Sequence, residues 1–146
     1  MAAVDRAVDV PVTAAVWGVH TNRWGWPEVS EGFSDYYQDA NAFTAGGHAD
    51  ALIPMVYWKV NPGGRLDFAE LVADHVSRAN GRHVYAGVRA DPSWAPEDVE
   101  AAIRAARAQG AHGVVLFEYS EGRPLFDRLK RGVFAQPAVP PEMGWR

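Results

Sequence analysis

Four short apolar runs, rich in β-branched residues, alternate along the chain with segments of helical periodicity, and this order constrains the fold more than any other feature. The runs cover residues 12–20, 49–57, 83–88 and 113–119. Each has the length of a buried strand, well below the roughly eighteen residues that a membrane span needs. The sequence therefore predicts four strands and no membrane span.

A helical segment follows each predicted strand, at residues 35–45, 67–78, 96–109 and 124–131. Ser34 is placed to cap the first of these helices, and Pro96 suits the first position of the third. Continuously apolar strands in a βαβαβαβα order are typical of a parallel sheet covered by helices. Two α/β architectures remain open on this pattern: a four-stranded open sheet, or half of a (β/α)8 barrel, which typically has about 250 residues.

Composition excludes several classes of protein. The formal charge is −4 and the pI about 5.7, which removes the electrostatic basis for nucleic-acid binding. There is no cysteine, so disulfides, thiolate metal sites and cysteine nucleophiles are excluded. Neither a Gly-rich phosphate motif nor an HxH or HExxH spacing occurs. The sequence therefore predicts no cofactor and no bound metal.

Several ordered motifs resemble those of one known family. They are Tyr36-Tyr37-Gln38-Asp39, Phe43, Gly46, Asp50, Ile53-Pro54-Met55-Val56-Tyr57-Trp58, Asp67-Phe68-x-x-Leu71-Val72, Val84-Tyr85-x-Gly87 and Gly113-Val114-x-x-Phe117. In this order they resemble the C-terminal half of the glycosyl hydrolase-like family 10 proteins. Many relatives have Trp in place of Phe43 and Gln in place of Met55.

The resemblance implies a fold, a division of the chain and a substrate class. The fold is a partial TIM (β/α)8 barrel, with four βα units corresponding to strands 5–8. Residues 1–11 would be a lead-in, residues 12–132 the half-barrel and residues 133–146 a Pro-rich tail. The family is thought to act on bacterial glycans, including cell-wall strands. Since many barrel glycosidases carry the general acid on strand 4, this half is expected to be incomplete for catalysis alone.

Glu118 is the candidate catalytic carboxyl group. It ends the last apolar run, and barrel enzymes place function at the carboxyl ends of their strands. A carboxyl group held against apolar walls has a raised proton affinity, which suits a general acid, and a glycosidase needs two such groups. The alternative is that Glu118 pairs with Arg89 or Arg123.

The candidate glycan-binding residues also follow the predicted strands, because flat aromatic faces stack on sugar rings while polar neighbours bind hydroxyls. The aromatic candidates are Trp24, Trp26, Tyr57, Trp58 and Tyr119, and Trp94 is expected on the same rim. The polar candidates are His20, Asn22, Arg23, Asp39 and Arg89. Asp39 has an alternative role as a helix cap. Asp91, which precedes a proline, is primarily a turn residue.

Two further functions stay open on the sequence: a non-catalytic carbohydrate-binding module, and a truncated gene fragment without independent activity. A half-barrel leaves two strand edges and an apolar face unpaired, so self-association or pairing with an N-terminal half-barrel is expected. Met1-Ala2-Ala3-Val4-Asp5-Arg6 has no hydrophobic signal region, whereas the resemblance implies the cell envelope or secretion for a full-length protein.

Overall fold

The fold is a four-stranded parallel sheet with helices. A computed structural model describes residues 1–145. Its strands are β1 (Thr13–Trp17), β2 (Ala51–Met55), β3 (His83–Arg89) and β4 (Gly113–Phe117), paired in parallel in the order β1-β2-β3-β4. The predicted α/β class with four parallel strands is confirmed. β1, β2 and β4 are shorter than predicted, because their flanking apolar residues belong to the connections rather than to the sheet.

Seven α-helices are described. They are α1 (Ala2–Asp5), α2 (Gly32–Asp35), α3 (Ala40–Ala45), α4 (Phe68–Arg78), α5 (Pro96–Ala108), α6 (Tyr119–Gly122) and α7 (Phe126–Arg131). A 3-10 turn, Arg123–Leu125, precedes α7, so the predicted helix 124–131 is α-helical only in its second part. α4 and α5 match their predictions to within one residue. None of the helices within residues 1–145 is long and apolar enough to cross a membrane.

The prediction of one helix over residues 35–45 is wrong. Tyr37 adopts a left-handed conformation with φ of 54°, which ends the helical path after α2. The backbone N–H of Gln38 then donates to the Gly32 carbonyl at 2.8 Å, and a new helix begins after Asp39. Ser34, predicted as the cap, lies inside α2, and the Asp39 carboxylate caps α3 by accepting from Ala42 N at 3.0 Å.

The core lies between one face of the sheet and the helices. Leu52 pairs in register with Val84, and Ala86 with Val114, so alternate residues of all strands point to the same side. Helices α4 and α5 cover this side with their apolar stripes. The largest buried contributions come from Phe68, Leu71, Val72, Val99 and Ile103. α3 covers the β1–β2 part of the same side through Ala40 and Phe43.

The opposite side of the sheet carries no helix from the described residues, and we call it the open face. Its residues are Thr13, Ala15, Trp17, Ala51, Ile53, Met55, His83, Tyr85, Gly87, Arg89, Gly113, Val115 and Phe117. Val115 is 38% exposed and Phe117 56% exposed. The prediction of a helix-covered sheet is therefore right for one side only. The strands are continuously apolar because both sides are largely apolar, although the described helices cover only one. At the amino end of the open face, His83 is 3% exposed and meets the Trp145 ring edge-on at 4.9 Å.

The amino ends of the strands are tied together through Asp50. Its carboxylate accepts from the backbone N–H of Val12 at 2.8 Å and from the Trp145 indole N–H at 2.8 Å. Arg82 lies 3.8 Å from the same carboxylate, and its guanidinium also covers the Trp145 ring at 4.7 Å. Asp50 is 2% exposed, so its carboxylate is a buried structural group before β2.

His75 is a buried titratable group on the core side of α4. Its Nε2–H donates to the Gly18 carbonyl at 3.2 Å, and the residue is 2% exposed. Burial, opposed mainly by this hydrogen bond, lowers the pKa of His75 to about 4. The imidazole is therefore neutral at pH 7, and it links α4 to the segment that follows β1.

Acidification should weaken the fold through His75. Because the pKa is lower in the folded chain than the 6.5 of a free imidazole, the unfolded chain takes up a proton first as the pH falls from 6.5 to 4. We expect the free energy of unfolding to fall by about 3 kcal/mol over this range. Urea unfolding at several pH values measures it.

The His75→Gln variant should show a smaller pH dependence between 6.5 and 4 than the parent chain. His48→Gln is the matched control, since His48 is partly exposed, with its side chain 37% exposed. Equal pH slopes for the parent chain and His75→Gln contradict the assignment.

Candidate functional site

The carboxyl end of the open face forms a row of side chains across all four strands. Trp17 pairs in register with Met55, Met55 with Gly87, and Gly87 with Val115. In the last register position, Arg89 of β3 lies beside Phe117 of β4. Because Gly87 has no side chain, the surface of the sheet is depressed at the centre of the row. The carboxyl end is therefore a shallow apolar surface with a charged group at one side.

Five aromatic side chains gather at this end, and we call them the carboxyl-edge aromatic group: Trp17, Tyr36, Tyr57, Trp58 and Phe117. The rings of Tyr57 and Phe117 are stacked, with centroids 5.3 Å apart. Trp17 lies 4.8 Å from Tyr36 and meets Trp58 edge-on at 6.2 Å. Burial raises the pKa of the Tyr57 phenol, so its hydroxyl stays protonated as a donor.

Gly18 sets the position of the Trp58 ring. A Cβ at Gly18 would lie 2.8 Å from Trp58 Cζ3 and 2.5 Å from the Met55 carbonyl oxygen. The chain thus passes close under the indole at the point where β1 leaves the sheet. This close approach of Gly18 fixes the Trp58 ring, which meets Trp17 edge-on.

Glu118 lies at the end of β4, directly after Phe117, and is exposed. It accepts a hydrogen bond from the Ser120 hydroxyl, and the Phe117–Glu118 peptide bond is cis. The apolar walls expected around this carboxyl group are not formed by residues 1–145. Within the same range, Glu118 forms no ion pair with Arg89 or Arg123, the alternative that the sequence left open. Glu118 is open to the surface beside the stacked Tyr57 and Phe117.

The Arg89 guanidinium instead pairs with Asp91. Asp91 also accepts from the backbone N–H and the hydroxyl of Ser93, the backbone bond at 2.8 Å. These bonds, those from Ser93 first, hold the pKa of Asp91 at about 2. Asp91 is therefore a fixed carboxylate that shapes its turn, as its position before a proline predicts, and it has no proton to give near neutral pH.

Trp24 and Trp26 form a separate stacked pair, with centroids 4.4 Å apart and planes within 6°. The Asn22 side chain holds their loop by bonding both the N–H and the carbonyl of Trp26. Arg23 covers Trp24 at 4.8 Å and lies 3.2 Å from the buried Asp74 carboxylate of α4. These four candidates thus fasten the loop after β1 onto α4, on the helix side of the sheet.

His20 and Asp39 line a cavity of about 570 Å³ with residues of α3 and the end of α4, including Arg78 and Asn80. His20 is 5% exposed, its Nδ1 has no partner among the described residues, and burial lowers its pKa. Asp39 is engaged as the α3 cap. The predicted polar candidates are therefore divided between this cavity, the loop after β1 and the carboxyl edge.

Trp94, Trp17 and Phe117 lie where the sequence analysis does not place them, whereas Tyr119 stays exposed after β4. Trp94 was expected on the rim but is 6% exposed and belongs to the main core. Tyr119 is 68% exposed and meets Phe126 edge-on at 5.6 Å. Trp17 and Phe117 lie within the predicted strands and are not among the sequence candidates, yet both lie on the open face. Burial alternates along β1, with Ala14 and Val16 buried and Thr13, Ala15 and Trp17 on the other side, but the residue types of this run do not alternate, so the sequence gives no signal for the open face.

No family model, curated protein or solved structure matches this chain. Within residues 1–145, no group of three or more histidine or acidic side chains is placed to hold a metal ion. The chemistry of the site therefore depends on the side chains at the carboxyl edge.

Gly18→Ala should displace Trp58 and destabilise the fold. The added Cβ would meet a backbone carbonyl and an indole at distances that real Cβ contacts do not show, so we expect a loss of about 1–3 kcal/mol in the free energy of unfolding. Urea unfolding and near-UV circular dichroism measure the two effects. Gly144→Ala is the control, because nothing lies within 4 Å of a Cβ there; equal effects of both variants contradict the packing described.

Proposed function

We propose that this chain is half of a (β/α)8 barrel, resembling the C-terminal half of the glycosyl hydrolase-like family 10 proteins, and that its carboxyl edge binds a bacterial glycan. Two observations support a half-barrel. The strands pair in the order β1-β2-β3-β4, and the described helices lie on one side of the sheet. In such a barrel the open face lines the interior, which bulky apolar side chains fill. The ordered motifs of the sequence supply the substrate class.

The observation that carries the glycan proposal is the carboxyl-edge aromatic group. Tyr36 is 47% exposed and Phe117 56% exposed, so ring faces are available at the end where barrel proteins hold their ligands. The Tyr57 hydroxyl and the Arg89 guanidinium lie at the same end and supply polar groups for sugar hydroxyls. An apolar surface with a few polar groups around it is typical of a ligand site.

Glu118 is the proposed catalytic carboxyl group of the complete barrel. It stands beside the Tyr57–Phe117 stack, at the end of the last strand. The proposed role is to protonate the leaving oxygen of a glycosidic bond or to stabilise the developing charge. A complete barrel would enclose Glu118 in the apolar walls that this half does not form, and would supply the second carboxyl group.

A non-catalytic glycan-binding module is the second candidate, and the state of Asp91 favours it. Asp91 is a carboxylate that follows a strand close to Glu118, but it is committed to Ser93 and Arg89. Of the two carboxyl groups that closely follow β3 and β4, only Glu118 has no arginine partner among the described residues, whereas hydrolysis needs two carboxyl groups. On this reading the half binds glycan without cleaving it.

Tyr57→Ala should weaken glycan binding about tenfold by removing one ring of the stacked pair. Quenching of tryptophan fluorescence by soluble cell-wall glycan fragments measures the affinity, since Trp17 and Trp58 lie in the same group. Phe134→Ala is the matched control, because Phe134 lies under Arg107, at 5.1 Å, away from this group. Unchanged affinity in Tyr57→Ala, or equal losses in both variants, contradicts the proposed surface.

Glu118→Gln separates binding from hydrolysis. If Glu118 acts as a general acid, release of reducing ends should fall by about 10²–10⁴-fold while affinity stays within a factor of about two. Hydrolysis by the parent chain that Glu118→Gln lowers excludes the non-catalytic module, whereas binding without hydrolysis is expected of both candidates. Hydrolysis that is unchanged in Glu118→Gln removes this residue from the chemistry.

A further inference from the structure

Two neighbouring cavities beside α3 have no role in the proposed function. The larger has a volume of about 570 Å³ and lies between the loop after β1, α3 and the end of α4. The smaller has a volume of about 350 Å³ and adjoins the larger one, because Phe33 and Asp39 line both. Tyr37 lines the smaller cavity and is 90% exposed. We call the two cavities together the α3 groove.

His20 is a buried residue of the larger cavity with unused hydrogen-bonding capacity. It is 5% exposed, it meets the Phe33 ring edge-on at 5.9 Å, and its Nδ1 has no hydrogen-bond partner among residues 1–145. Burial, helped by the Arg78 charge, lowers the pKa of the imidazole, so it is neutral at pH 7. Buried polar groups nearly always have a partner, so an unpartnered one that lines a cavity points to a ligand.

Arg78 supplies a positive charge to the larger cavity. Its Nε donates to the Asp74 carboxylate at 2.8 Å, and Arg23 lies 3.2 Å from the same oxygen. Two guanidinium groups therefore share one carboxylate, which leaves a net positive charge. The Nε bond orients the Arg78 guanidinium, and its two Nη atoms form no hydrogen bond with residues 1–145. A guanidinium with free Nη atoms matches the two oxygens of a ligand carboxylate.

Asp39 supplies a negative charge where the two cavities meet. Its Oδ1 accepts from Ala42 N, whereas its Oδ2 forms no hydrogen bond with residues 1–145. Asp39 raises the pKa of His20 while Arg78 lowers it, so both charges lie near the same imidazole. The charge of Glu31 acts on His20 in the same direction as that of Asp39. The groove thus has a positive and a negative side.

The smaller cavity has aromatic walls on a fixed backbone. Phe33 is 50% exposed, and Tyr37 holds a left-handed conformation with φ of 54°, which is unfavourable for a residue other than glycine. Gln38 holds this turn, since its N–H donates to the Gly32 carbonyl and its side chain accepts from Trp17 N, both at 2.8 Å. A fixed backbone lowers the entropic cost of binding an apolar group between the rings.

We propose that the α3 groove binds a free α-amino acid with a large apolar side chain. The ligand carboxylate pairs with Arg78, its ammonium group pairs with Asp39, and its side chain lies against Phe33 and Tyr37. Asp39 lies where the cavities meet, so the charged groups of the ligand occupy the larger cavity while its side chain extends into the smaller one. The inference does not depend on the glycan surface at the carboxyl edge.

Charge distinguishes this ligand from other small molecules. A simple anion would meet the carboxylates of Asp39 and Glu31, and a simple cation would meet the guanidinium of Arg78. A neutral sugar would leave both charges without a counterion. A ligand with an ammonium and a carboxylate group satisfies both sides, and such charge-assisted hydrogen bonds are about twice as strong as neutral ones.

Calorimetric titration with L-phenylalanine tests the proposal, and two derivatives test each charge by itself. The amide of L-phenylalanine lacks the carboxylate, and N-acetyl-L-phenylalanine lacks the ammonium group. We expect L-phenylalanine to bind, and each derivative to bind at least about tenfold more weakly because it loses one charge-assisted pair. Glucose is the neutral comparison. The proposal is overturned if L-phenylalanine does not bind at millimolar concentration, if either derivative keeps its affinity, or if glucose binds more tightly.

Asp39→Asn tests whether the ligand lies in the α3 groove. Asparagine caps a helix about as well as aspartate, so α3 is retained while the charge that faces the ammonium group is removed. We expect the affinity for L-phenylalanine to fall at least about tenfold, with an unchanged far-UV circular dichroism spectrum.

Asp35→Asn is the matched control for Asp39→Asn. Asp35 is an exposed carboxylate of α2 that also accepts a backbone N–H, from Glu31 at 2.7 Å, and it lines neither cavity of the groove. The affinity for L-phenylalanine should stay within a factor of about two in this variant. Equal losses in the two variants, or an unchanged affinity in Asp39→Asn, overturn the proposed site.

Discussion

Burial of one side of the sheet under α4 and α5 is the constraint on which the rest of the structure depends. Phe68, Leu71 and Ile103 pack in one cluster with side chains of β3 and β4, and such close packing leaves little freedom in strand register. Register then decides which side chains reach the other side and the carboxyl end. The carboxyl-edge aromatic group is therefore a consequence of helix packing on the opposite side of the sheet.

Sequence periodicity predicted the elements that this core stabilises. α4 and α5 each present an apolar stripe and have clear start signals, Asp67 and Pro96, and their bounds are correct within one residue. The helix expected over residues 35–45 is interrupted because Tyr37 adopts a left-handed conformation, which helix propensity does not predict. This conformation turns the chain so that the Gln38 side chain can accept a hydrogen bond from β1. A contact between segments overrode the local preference.

The candidate site was predicted only in part, because position after a strand does not fix which way a loop turns. Tyr57, Trp58, Arg89, Glu118 and Tyr119 stay near the strand ends. The loop after β1 folds back instead, because the buried Asp74 attracts Arg23 and Asn22 closes the turn around Trp26. Conversely, Trp17 and Phe117 were hidden within apolar runs. A run that is apolar on both sides conceals which side a helix will cover.

The hydrogen bond between Trp145 and Asp50 has a consequence for how the chain can be handled. Asp5 and Asp9, close to the first residue, line one cavity with Asp50 and Trp145, so both ends of the described chain meet below the amino ends of the strands. Groups attached at either end lie at the opposite pole from Glu118. The same proximity makes circular permutation feasible with a short linker, and new termini can be cut in any exposed connection.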